Sequence, residues 1–233
     1  MKNALPVSLT LVGLALMGAG APVSAAGLTS PDGASAASLP CSEAIPLYRK
    51  AIADAPKDAV LHNRLGVCYQ KVGETKLARK EYERATSLDK SFASAWNNLG
   101  TIYHASGQHK KAVSLYRKAI EKRPDFSAAY RNLGAAELAR GDVQKGIEAY
   151  REALRIDPQA FDTTNPGVSV AGIPAATQLY CFAKVSAAAG RVDAALEYLT
   201  RARAAGFSDM DRVRNDADFK DVVKDARFSA AVR

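Results

Sequence analysis

Apolar and small residues recur along residues 59–160 with a period of 34. Leu65, Leu99 and Leu133 are each followed by a glycine (Gly66, Gly100, Gly134), and a second glycine comes seven residues later (Gly73, Gly107, Gly141). Tyr82, Tyr116 and Tyr150, and then Ala85, Ala119 and Ala153, occupy the next shared positions. In residues 93–126, Trp96, Leu99, Gly100 and Tyr103 fall at i, i+3, i+4 and i+7, one face of an α-helix. Gly107 is placed to end that helix in the left-handed conformation. Ala112, Leu115, Tyr116, Ala119 and Ile120 form the stripe of a second helix, which Pro124 stops. Gly100 lets a neighbouring helix approach closely, and Tyr116 is expected to fill the gap between repeats. Each period is therefore an antiparallel helix pair, and a period of this size implies a stack of such units.

These positions strongly resemble the tetratricopeptide repeat. Residues 93–126 match it at Trp96, Leu99, Gly100, Tyr103, Ala112, Tyr116, Ala119 and Pro124. Residues 59–92 depart at His62 and Lys90, and residues 127–160 at Glu137 and Gly146. The resemblance implies an all-α fold, a right-handed superhelix of helix-turn-helix units with a short C-terminal helical cap. The pattern divides the chain into a signal peptide (1–25), a linker (26–40) and a partial repeat that keeps only its second helix (41–58). Three full repeats follow (59–92, 93–126, 127–160), then an inserted loop (161–176), a divergent repeat (177–206) and capping helices (207–233). Ser42 is expected to cap the first helix.

In this family the first helix of each repeat lines the concave side. Carried over, the groove would hold Asn63, Arg64 and Lys71, then Asn97, Asn98, Thr101 and His104, then Arg131 and Asn132. Lys184 of the divergent repeat would join them. Amides both donate and accept, which suits an extended peptide backbone. Arg64, Lys71, Arg131 and Lys184 suit acidic groups on a protein or peptide partner. The family's carboxylate clamp is not reproduced, because only Asn98 matches it. The expected function is non-enzymatic protein–protein binding in that groove. A second reading makes the chain a structural scaffold or assembly factor of a cell-envelope complex, working through its convex face or ends.

Charge and chemistry narrow the choice. Lys and Arg number 32 against 24 Asp and Glu, a formal +8. The excess is spread along the chain without a basic stripe interleaved with exposed aromatics, so no nucleic-acid partner is expected. Acidic pairs such as Glu81 and Glu83 read as solvated. The three histidines lack metal-ligand spacing, and no nucleophile elbow or phosphate loop occurs, so no catalytic residue, metal or cofactor is expected. Lys2, the apolar run Leu9–Leu16 and Val23-Ser24-Ala25 form an export signal with cleavage after Ala25, giving a periplasmic or secreted protein with no membrane span afterwards. That compartment permits disulfides. Cys41 and Cys68 would lie near each other at the start and end of antiparallel helices, so a disulfide between them is open. A Cα separation far above ~7 Å excludes it.

Overall fold

The computed structural model describes residues 28, 35–161 and 173–232. The export signal, part of the linker and most of the 161–176 insert lie outside the described residues. Among the described residues there is no strand, and the helices come in consecutive packed pairs, the expected solenoid class. A lone helix α1 (Cys41–Asp54) precedes three pairs: α2 (Ala59–Lys71) with α3 (Thr75–Leu88), α4 (Ala93–Ala105) with α5 (His109–Lys122), and α6 (Ser127–Ala139) with α7 (Val143–Ile156). A fourth pair is α8 (Ala175–Ala188) with α9 (Val192–Ala204). Three short helices, α10 (Met210–Asn215), α11 (Lys220–Lys224) and α12 (Phe228–Ala231), and a 3-10 turn at Ala217–Phe219 follow.

Each pair is joined by the same turn, and glycine makes it. Gly73, Gly107, Gly141 and Gly190 have φ between +71° and +87°. The residue after each glycine donates its N–H back to a carbonyl of the first helix, as Gln108 does to the Tyr103 carbonyl at 2.9 Å. This satisfies carbonyls that a helix end would leave bare. α1 starts differently from expectation. Pro40 precedes it, its carbonyl accepting from the Glu43 and Ala44 N–H groups, and Ser42 is already inside the helix rather than capping it. Proline's fixed φ pre-sets that entry.

The helices of a pair approach most closely at Gly66, Gly100 and Gly134. A Cβ on Gly100 would lie 2.6 Å from the Tyr116 ring, and the other two glycines face Tyr82 and Tyr150 in the same way. Each tyrosine thus fills the space left by the glycine of its own repeat, and Tyr150 also meets Phe182 of the next pair at a ring-centroid distance of 5.0 Å. Tyr116 occupies the space that Gly100 vacates, in a cluster that also holds Leu133 and Ala136 of the next repeat. Three apolar clusters run along the array. The last is the largest and joins the fourth pair to the C-terminal helices, through Tyr150, Phe161, Phe182, Tyr198 and Phe219 among others.

A candidate peptide-binding face

The first helix of each pair, α2, α4, α6 and α8, forms the inner row. α4 touches α6 directly. Asparagines tie the row together. Asn132 Nδ2 donates to Asn97 Oδ1 at 2.9 Å, Asn97 Nδ2 to Asn98 Oδ1 at 3.4 Å, and Asn98 Nδ2 to Asn63 Oδ1 at 3.0 Å. The four expected amides therefore come together, but as a ladder linking α6, α4 and α2. Each rung between helices spans 35 residues, from position 6 of one helix to position 5 of the preceding first helix. Asn63 and Asn97 are buried in it. Beside it, Tyr82 Oη donates to Gln70 Oε1 at 2.8 Å, and Gln70 Nε2 reaches Thr101 Oγ1 at 3.5 Å.

The cations stand differently. Arg64 and Arg131 are half-buried and Lys71 is exposed. No carboxylate partner appears for any of them among the described residues. Arg131 donates only a long bond to the Ala160 carbonyl, at 3.4 Å, and its Nε is buried without a partner. The inner row is also nearly free of acid. α2 and α4 contain no Asp or Glu, and α6 contains only Glu137. The second helices carry the acids instead: Glu81, Glu83, Glu121, Glu148 and Glu152.

Glu137 does not dilute the positive face, because it is 1% exposed and enclosed by arginines. It accepts from Arg117 Nη2 at 2.8 Å and Arg140 Nη1 at 2.6 Å. Arg117 belongs to a repeating inter-repeat position. One repeat earlier Glu83 stands there and accepts from Tyr103 Oη at 3.0 Å. One repeat later Arg151 stands there, while the matching position of α8 is the buried Ser186, and Arg151 bonds Asp218 of the tail at 2.6 Å. A cleft of about 510 Å³ remains between α7 and α8 at this point, floored by Val185, Ala188 and Ala189. Glu81 is likewise engaged, 2.6 Å from His62 Nδ1. The reading of Glu81 and Glu83 as merely solvated is thus corrected: both join helices.

Lys184 lies at the far end of the row and is already occupied. It pairs with Asp216 and, at 2.9 Å, with Asp218. Burial opposes its charge, but these carboxylates prevail and hold its pKa above the ordinary lysine value. Burial also opposes charge on Asp216, and the Lys184 contact outweighs it, holding the carboxyl below its usual range. Tyr180 beside it stacks on Phe207, with ring centroids 4.6 Å apart, and Phe219 is fully buried against it. The tail therefore covers α8, and the accessible inner face runs over α2, α4 and α6.

His104 and His109 meet across the turn, Nδ1 to Nδ1 at 3.2 Å. Burial first, and His109 second, lower the His104 pKa. Cys41 and Cys68 are free thiols in contact with each other. Burial, then the hydrogen bond and charge of Cys41, push the Cys68 thiol up to about 12. Among the described residues no helix is long and apolar enough to cross a membrane.

Comparison with known proteins agrees with this architecture. Tetratricopeptide-repeat models match residues 47–80, 69–125 and 105–161. No curated protein matches the chain in sequence. Among solved structures, MamA is 22% identical with a TM-score of 0.51, covering 71% of this chain and 88% of its own. TTC0263, a thermophilic tetratricopeptide-repeat protein of Thermus thermophilus, is 17% identical with a TM-score of 0.51, covering 82% and 90%. YrrB, described as a tetratricopeptide-repeat protein with an unusual peptide-binding site, is 18% identical with a TM-score of 0.52, covering 79% and 88%. With the repeat models matched in overlapping register and the helix pairs stacked as in those structures, the chain belongs to the tetratricopeptide repeat family.

Proposed function

We propose that this protein binds an extended acidic peptide along the inner face of α2, α4 and α6, in the periplasm or outside the cell. Tetratricopeptide repeats serve as protein-interaction modules, and YrrB shares the fold and is described as having a peptide-binding site. The observation that carries the acidic preference is the exclusion of exposed acid from the inner row, whereas the second helices mix acids with lysines and arginines. The inner row presents Arg64, Lys71 and Arg131 with no exposed carboxylate among them. Like charges so placed on a solvated helix face repel one another, and a polyanionic ligand relieves that repulsion. The arginine forks suit carboxylates bidentately. The asparagine ladder holds the three helices in register beneath the ligand and offers its two ends, the Asn63 amide N–H groups and the Asn132 carbonyl, to a peptide backbone.

The test is titration of a fluorescent pool of acidic peptides of roughly ten residues, followed by anisotropy. Charge-assisted bonds contribute about 1.5–3 kcal/mol each, so Arg64→Glu with Arg131→Glu is expected to weaken binding about 100-fold or more. Helicity and melting are expected to stay unchanged. Equal binding by the double variant defeats the assignment.

A further inference from the structure

We infer that Cys41 and Cys68 are a covalent modification site, a dithiol pair that closes into a disulfide and latches α1 to the rest of the array. Cys41 is the first residue of α1, and Cys68 lies near the end of α2, the antiparallel helix that α1 packs on. Both thiols belong to one apolar cluster at the α1–α2 seam, Cys68 buried in it and Cys41 packed against it. Cys181 offers a contrast: it is fully buried in a different cluster, at the other end of the molecule.

The pairing joins the parts of the array that most need joining. α1 is a second helix without a first-helix partner among the described residues, and α2 is the one helix it is seen to pack on extensively. A terminal unit with a single neighbour is the first to fray in a solenoid. α2 carries Asn63 and Arg64, so fraying there reaches the inner face. A bond between residues 41 and 68 removes conformational freedom from the unfolded N-terminal unit without a new packing surface.

The chemistry is thiol–disulfide exchange with a small-molecule disulfide, glutathione disulfide being the probe. Cys41, the more exposed thiol, loses its proton to water and attacks the probe, expelling one glutathione thiolate. Cys68 then loses its proton and attacks Cys41 Sγ, expelling the second. The protein pair gives up two electrons and two protons, and the probe becomes two thiols. The deep position of Cys68 makes the second step slow, so equilibrium must be approached from both directions.

The experiment equilibrates the whole protein with oxidised glutathione in about tenfold excess over reduced. One sample starts from the reduced native protein and one from protein oxidised while unfolded. The expected result in both is a single Cys41–Cys68 linkage by non-reducing peptide mapping, with Cys181 the one free thiol. Trypsin cleavage after Arg49 or Lys50, exposed within α1, is expected to slow at least about tenfold on oxidation and not to change in Cys41→Ser with Cys68→Ser. Thermal unfolding of the N-terminal unit is expected to rise by about 5–10 °C. A dithiol that persists at equilibrium from both directions, stable glutathione adducts on Cys41, or cleavage that ignores oxidation each overturn the inference. None of these readouts depends on peptide binding.

Discussion

Gly134→Ala tests whether close helix approach within a repeat is what the recurring glycine provides. The added Cβ would lie 2.5 Å from two atoms of the Tyr150 ring and 3.0 Å from the Gly146 carbonyl oxygen. Tyr150 cannot withdraw, because it is 1% exposed and its ring meets Phe161 and Phe182 at centroid distances of 5.2 and 5.0 Å. Overpacking of a tight core costs about 1–3 kcal/mol, and backbone among the clashing atoms puts this case near the top. Alanine's better helix propensity offsets about 1 kcal/mol. The net is a loss of about 2 kcal/mol, or roughly 4–8 °C in Tm for a chain of this size. Urea denaturation followed by far-UV dichroism measures it. Adding Tyr150→Leu removes the ring from the clash, so the double-mutant cycle is expected to show favourable coupling of about 1–2 kcal/mol. A Gly134→Ala protein as stable as wild type, or a cycle with no coupling, refutes the reasoning.

Two further outcomes follow from buried charge. Glu137 is 1% exposed, so Arg117→Ala with Arg140→Ala leaves it unpaired and is expected to cost about 3–5 kcal/mol in the same assay, whereas Glu137→Met, which removes the charge itself, is expected to cost far less. Burial and then His109 hold His104 below its ordinary 6.5, so the unfolded chain takes up that proton at higher pH than the folded chain. The stability owed to the neutral ring is complete above 6.5 and is lost as pH falls below it. His104→Gln, which copies Gln70 at the same place in the preceding repeat, is expected to lose less stability than wild type between about pH 7.5 and 5.5, and equal losses contradict this.

Helix spans were legible because the 34-residue period, the turn glycines and the buried tyrosines all report local geometry. The inner-row residues were legible too, by carrying the family's positions onto Asn63 or Arg131. What those side chains do was less so. The ladder depends on amides 35 residues apart meeting between helices, which spacing within one helix does not reveal. Lys184 looks like a groove cation until the tail folds back over it, since Asp216 is 32 residues away. Glu137 stood out as a departure from the aromatic, yet its partner was hidden. A signal was present: Glu83–Tyr103 and Arg117–Glu137 share a separation of 20 residues, so one exchange of chemistry accompanies the other. Ser42 failed as a cap because Pro40 had already set the backbone at the helix entry.

Site-specific cross-linking tests the proposed inner-face binding most directly. A photoreactive side chain is placed at Thr101, between the arginines on the inner row, or at Lys80, exposed on the second helix α3. With the acidic peptide pool bound, adducts are expected from Thr101 and not from Lys80. Adducts that form equally well or better from Lys80 would contradict the account and place the partner on the outer helices.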